Sequence, residues 1–417
     1  MMKKVWKVPA IVMGLSVLFC AGILGGCAGK EEKESASVTV SEEVNPNDGV
    51  FEVTGLDEPD HTQTEEPEET EEPVEADPAL EILESMTLEE KIWQMFVITP
   101  SQLMSGDDSS ILSEEFKYRL TEKPVGGLMF YGTDMSGPEA TKAKNRNAIE
   151  ESMRIEGMPL FLCIDEEGGR VARIGCRDEY GVTRVGPMGN IKSEEAAYEA
   201  GATIGEYLAE YGFNFDLAPC ADALTDPDNT AIGDRSFGSD VEIVSKYAEQ
   251  FAKGLHANDI LSCYKHFPGH GGSFGDTHDG FIATDKTLEE MLDTDLYPFQ
   301  NLTEADCVMV AHISAPNVTG NDKPSSLSIT MITDVLRGHL KYEGLIMCDA
   351  LNMGAIADYG TQDEVSVTAV EAGIDLVLVP SDVDLAYEGI LNAVKNGKIS
   401  EERIDESVLR IIHAKLK

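Results

Sequence analysis

Positive charge is scarce in this chain. Lysine and arginine number 32 against 76 aspartates and glutamates, a formal net charge of −44. A surface of that sign repels phosphate backbones and anionic headgroups, which argues against nucleic-acid binding and leaves neutral ligands open. Paired-cysteine signals are missing as well. The chain has eight cysteines but no CxxC or zinc-type spacing, so neither a disulfide framework nor a metal site is expected. Cys163, Cys220, Cys263, Cys307 and Cys348 sit in or at the end of apolar runs and read as core thiols, while Cys176 falls in a loop. No glycine-rich dinucleotide fingerprint follows a strand-like run, so no nucleotide cofactor is expected.

One apolar run approaches membrane length. Val8–Leu24 follows Lys3, Lys4 and Lys7 and closes on Leu24-Gly25-Gly26-Cys27. A positive start, an apolar middle and small residues at the end describe a signal peptide, here residues 1–26. The cysteine at its end resembles a bacterial lipobox, which implies lipidation at Cys27 and an extracytoplasmic domain anchored to the cell membrane. Residues 27–78 read as a tether. Between Glu31 and Leu80 there are 18 acidic residues against one lysine. Such a segment cannot bury enough apolar area to offset its ordering entropy, so disorder is expected, with an end-to-end distance of roughly 40 Å.

Residues 79–417 read as one α/β domain. Apolar, β-branched-rich runs lie near Gln94–Ile98, Gly126–Tyr131, Leu160–Ile164, Phe213–Leu217, Ile260–Tyr264, Cys307–Ala311, Gly344–Cys348 and Leu376–Val379. Helical segments separate them. Thr87-Leu88-Glu89-Glu90 and Thr287-Leu288-Glu289-Glu290 carry the capping-box pattern, and Ser193 opens an alanine-rich helix. Eight strands alternating with helices predict a (β/α)8 TIM-type barrel, a single catalytic domain with no room for a second.

Polar residues fall where such a barrel places its chemistry. Asp165 follows the third strand, Asp216 lies near the end of the fourth, Lys265 and His266 end the fifth, His312 the sixth and Asp349 the seventh. Strand C-termini open on one face of a barrel, so these residues are expected to converge on one pocket. The densest stretch is Lys265–Gly280, KHFPGHGGSFGDTHDG, with three histidines, two aspartates and five glycines in sixteen residues. Histidine and carboxylate suit proton transfer, and the glycines let backbone approach a ligand.

At these residues the chain resembles glycoside hydrolase family 3, in its single-domain β-N-acetylglucosaminidase form of NagZ type. The matching pieces are MTLEEKIWQM, IDEEGGRVARI, IGDRSFG, KHFPGHG with DTH, and IMCDALNMGAI, spread from Met86 to the end of the chain. The resemblance implies a retaining exo-β-N-acetylglucosaminidase acting on peptidoglycan-derived fragments. Asp349 would be the nucleophile. His278, held by Asp276, would be the acid/base in place of the second carboxyl that many glycosidases use. Asp165, Arg173, Arg235, Lys265 and His266 would grip the terminal N-acetylglucosamine. No cofactor or metal is implied, and a monomer is expected. The chain departs from many relatives at Gly272-Ser273, Cys348 and Ala350.

Other classes remain open at this point. A family 3 β-glucosidase or a phosphorolytic enzyme would use the same nucleophile. A barrel aldolase would use Lys265 as a Schiff base, and a metallohydrolase would recruit His266, His270 and His278. A non-catalytic sugar-binding lipoprotein would need neither Asp349 nor the Asp276–His278 pair.

Overall fold

The computed structural model describes residues 77–104, 113–273 and 280–417. The expected signal peptide, Cys27 and nearly all of the expected tether lie outside the described residues. Ten strands occur among the described residues: β1 (Phe96–Ile98), β2 (Gly127–Phe130), β3 (Phe161–Ile164), β4 (Phe215–Asp216), β5 (Leu261–Phe267), β6 (Ile282–Ala283), β7 (Cys307–Val310), β8 (Ile313–Ser314), β9 (Leu345–Cys348) and β10 (Val377–Leu378). Eight of them form one sheet in the order β10-β1-β2-β3-β4-β5-β7-β9, parallel at every pairing. A parallel bridge between Met347 and Leu376 brings the two ends of that order together. The Cys348 N–H donates to the Leu376 carbonyl at 3.1 Å, so the sheet closes into a barrel.

All eight expected strands are present. Their apolar continuity follows from burial on both faces, inside by the barrel core and outside by helices. Phe96, Phe130, Phe161, Phe215, Tyr264 and Phe267 are all buried in this core. Two features differ from the expectation. Strand β5 runs on to Phe267, past the expected run ending at Tyr264, so Lys265 and His266 lie within it. A short parallel pair, β6 with β8, adds a second small sheet.

The helices begin where their capping residues stand. Thr87 and Thr287 each accept from the N–H three residues on, while Glu90 and Glu290 reach back to the cap N–H. The helices Glu194–Glu210 and Val241–His256 pack so closely that a Cβ on Gly201 would lie 2.0 Å from the Phe251 carbonyl oxygen. Glycine there is a packing requirement.

The helix Glu401–Lys415 ties the barrel together at its base. Buried Asp375 accepts from Arg337 at 2.6 Å, Arg410 at 3.3 Å, Ser407 at 2.5 Å and the Ile346 N–H at 3.0 Å. The same helix meets the first described residues: Asp405 pairs with Lys91 at 2.7 Å and His413 with Asp77 at 2.8 Å. Among the described residues no helix is long and apolar enough to cross a membrane.

Candidate active site

The C-terminal ends of the barrel strands surround a cavity of about 360 Å³. Tyr131 follows β2, Asp165 follows β3, Lys265 and His266 lie on β5, Asp349 follows β9, and Ala350, Asn352 and Met353 continue its wall. Arg173 and Arg235 enter from the loops after β3 and β4. Asp165, Arg173, Arg235, Lys265, His266 and Asp349 therefore share one cavity. Asp276 and His278 lie outside the described residues. A larger cavity, about 480 Å³, opens at the opposite end beside Pro159, Asn214, Ile260 and Ala305. Within it His256 and Lys417 each reach Asp306 at 2.7 Å, and it holds none of the motif residues. The motif residues lie in the smaller one.

Its wall is a network of alternating charge. Lys265 Nζ lies 2.8 Å from Asp165 Oδ1 and 2.6 Å from Glu167 Oε1. Arg235 grips Glu167 with two parallel bonds of 2.8 Å, and Arg173 reaches Asp165 at 3.2 Å. Burial alone would raise both carboxyls, but Lys265 outweighs it, with Arg173 at Asp165 and Arg235 at Glu167, and both stay below the usual carboxylate range. Burial would likewise lower Lys265, and the same two carboxylates overcome it and hold the ammonium protonated. A lysine locked in its charged form is a poor Schiff-base nucleophile, which removes the ground for the aldolase reading.

His266 is oriented from both sides. Its Nδ1 lies 2.6 Å from Asp222 Oδ2, and its Nε2 lies 3.1 Å from Arg235 Nη2. A guanidinium only donates, so Nε2 accepts and the ring proton sits on Nδ1, an assignment made from the network. Asp222 also accepts the His266 and His270 N–H groups, and against the upward push of burial it is held well below its ordinary range. Burial lowers His270, whose Nδ1 faces Ser273 Oγ at 3.1 Å. The donor atoms of Cys220, Asp222 and His266 lie within 4.8 Å of one another. Asp222 already bonds the His266 Nδ1 and the Cys220 thiol, at 3.3 Å, so these donors satisfy each other. Neither ring nitrogen of His266 is left over for the metallohydrolase reading.

Asp349 differs from the other carboxylates of the cavity. Its Oδ1 accepts the Ala350 N–H at 2.8 Å, and it forms no salt bridge among the described residues. Asp165 and Glu167 have cations beside them, and Asp349 has none among the described residues. Tyr131 stays protonated, since burial and the nearby Asp165 and Asp349 charges push its phenol up to about 12.

Two residues expected at the pocket do not reach it. Asp216 is fully buried beneath the site, accepts the Glu166 N–H at 2.9 Å, and is driven well above the carboxylate range by burial. His312 is buried between Ser326 Oγ, 2.7 Å from Nδ1, and the Ala350 carbonyl, 3.0 Å from Nε2. Both hold the backbone on which site residues stand. Glu167, Asp222 and Tyr131 were not singled out from sequence. Glu167 had a signal, because a carboxylate two residues after Asp165 in extended chain points the same way. Asp222 follows a strand with no distinguishing pattern.

A family model described as the glycosyl hydrolase family 3 N-terminal domain matches residues 87–414. The chain is 28% identical over 347 residues to beta-hexosaminidase A of Pseudoalteromonas piscicida, covering 76% of this chain and 58% of that protein. It is 34% identical over 268 residues to beta-hexosaminidase LpqI of Mycobacterium tuberculosis, covering 61% of this chain and 67% of that one. A solved family 3 beta-N-acetylglucosaminidase from Paenibacillus sp. superposes with a TM-score of 0.73 at 33% identity, covering 80% of this chain and 62% of that chain. The chain thus spans about three fifths of the length of two of these proteins.

Proposed function

The chain belongs to glycosyl hydrolase family 3, and from that premise we propose that it is a retaining exo-β-N-acetylglucosaminidase acting on peptidoglycan-derived fragments. The carrying observation is the contrast in the cavity: Asp165 and Glu167 are neutralised by Lys265, Arg173 and Arg235, and Asp349 is not. The paired groups offer charge-assisted hydrogen bonds to sugar hydroxyls. Asp349 is left to attack the anomeric carbon. Its oxygen bonds to that carbon as the glycosidic bond breaks, and the departing oxygen takes a proton from His278. Water then attacks the same carbon, gives its proton to His278, and the Asp349 carboxylate leaves. Asp276 orients His278 and favours its protonated form.

The names of the relatives support the sugar, since they are beta-hexosaminidases and a beta-N-acetylglucosaminidase. The N-terminal pattern supports a lipid anchor at Cys27, a disordered tether up to about residue 78 and an extracytoplasmic site. The domain is proposed to act as a monomer. The testing assay compares aryl β-N-acetylglucosaminide with aryl β-glucoside, each with and without phosphate. Faster release from the N-acetyl substrate, with free N-acetylglucosamine as product, is expected. Preference for the glucoside, or a sugar phosphate as product, would refute the reading. The acid/base is tested by leaving group. His278→Ala should impair a natural disaccharide far more than an aryl glycoside of low leaving-group pKa, and equal losses would reject the assignment.

A further inference from the structure

Glu166 stands between two cavity carboxylates and turns away from both. Asp165 and Glu167 face Lys265, as alternate residues of extended chain do, and Glu166 is folded beneath the loop that follows. It is fully buried, and its hydrogen-bond partners are four neutral donors. Oε2 accepts the N–H of Arg173 at 2.5 Å and of Ile174 at 2.9 Å. Oε1 accepts the N–H of Gly175 at 2.8 Å and the hydroxyl of Tyr207 at 2.9 Å. Three successive backbone N–H groups converging on one carboxylate make an anion nest, here filled from within the chain. A Cβ on Gly175 would lie 2.8 Å from Oε1, so this approach requires glycine. Tyr207 belongs to the helix Glu194–Glu210, and burial with the adjacent Glu166 charge keeps its phenol protonated and donating. The loop is tied again where it begins, with the Glu167 N–H on the Val171 carbonyl at 2.9 Å and the Val171 N–H on the Gly168 carbonyl at 3.2 Å.

We propose that Glu166 is a positioning residue: its carboxylate gathers the segment from Glu167 to Gly175 around itself and so sets the Arg173 guanidinium against Asp165 on the sugar-binding wall. The inference rests on Arg173 as a substrate contact. The Glu166 carboxylate is buried and does not line the cavity, and Tyr207 ties it to the helix layer, so it acts on the site only through the backbone it holds.

The test is a double-mutant cycle on the full chain: Glu166→Gln, Tyr207→Phe, Arg173→Ala, and each of the first two combined with Arg173→Ala. Steady-state kinetics and melting temperature are recorded for each. Glu166→Gln keeps the shape but turns an amide NH2 toward N–H donors. Its kcat/KM should fall about tenfold to a hundredfold, the size expected for a lost bond to a buried charge, mainly through KM. Tyr207→Phe should move the same way by less. Adding either change to Arg173→Ala should cost less than about threefold more, because the residue through which they act is already gone. Losses that multiply in the double variants would overturn the proposal. So would a lowered melting temperature with unchanged KM in the folded fraction, or an Arg173→Ala variant without loss. Failure of the activity reading shows separately, as a wild-type enzyme idle on N-acetylglucosaminides, and the cycle is then run on the glycoside it does cleave.

Discussion

Lys265→Met keeps the apolar stem of a buried side chain and removes its charge. In the native cavity that ammonium sits 2.8 Å from Asp165 and 2.6 Å from Glu167, with its side chain only 3% exposed. Arg235 remains for Glu167, but Asp165 loses its closest cation and keeps only Arg173, at 3.2 Å. Breaking a buried pair by removing one partner costs about 3–5 kcal/mol. At about 2 °C per kcal/mol for a domain of this size, the melting temperature should drop by about 6–10 °C. The pH dependence is more telling. In the native protein both carboxyls are held below their unfolded values, so they contribute stability above the unfolded carboxylate pKa and lose it as pH falls through the folded one. Without Lys265, the largest downward pull on buried Asp165 is gone, and its folded pKa should rise above the unfolded value. That group favours folding at low pH and works against it as pH climbs. Urea unfolding at about pH 5 and about pH 8 should therefore show a deficit that widens with pH. A variant within about 1 kcal/mol of wild type at both pH values would refute the electrostatic reading of this wall.

Other outcomes follow from residues already placed. Asp349→Ala should lower turnover by at least about 10⁴-fold with the melting temperature held, and a slow fluorinated glycoside should label Asp349 in peptide mapping; label on another carboxylate would overturn the nucleophile. Asp375→Asn leaves Arg337, Arg403 and Arg410 around an uncharged side chain, and should cost about 3–5 kcal/mol in denaturant titration with KM unchanged; a shifted KM would show the base of the barrel coupled to the site. His256 is raised above its ordinary value by its bond to Asp306, against the downward push of burial, so its contribution is full below the unfolded histidine pKa and is lost as pH rises through the folded one. His256→Gln should flatten that alkaline decline in melting temperature, and parallel pH curves for variant and wild type would reject the pairing.

The barrel was legible because strands buried on both faces must be apolar throughout, and eight such runs stand clear of their helices. The end of β5 was hidden for the opposite reason. Lys265 and His266 carry the signature of a loop, and only their partners, Asp165, Glu167 and Asp222, explain how they occupy a strand. Two-residue strands such as β6 and β8 are too short to leave a pattern. In the site, position along the chain was readable and direction was not. Asp216 and His312 sit at strand ends as Asp165 and Asp349 do, yet they turn into the protein. Glu166 and Glu167 are identical neighbours with opposite fates, one feeding a backbone nest and the other a lysine and an arginine.

The contact of Asp77 with His413 makes the domain a ring in space as well as in hydrogen bonding. The closed sheet has no first strand, and the helix Pro78–Ser85 stands beside the helix Glu401–Lys415. In the segment 77–417, a short linker joining Asp77 to Lys417 should permit circular permutation, with new termini opened in a connection on the base of the barrel. The permuted domain should retain its cavity, because each wall residue is placed by its own strand or the loop that follows it and none by the order in which the strands are threaded.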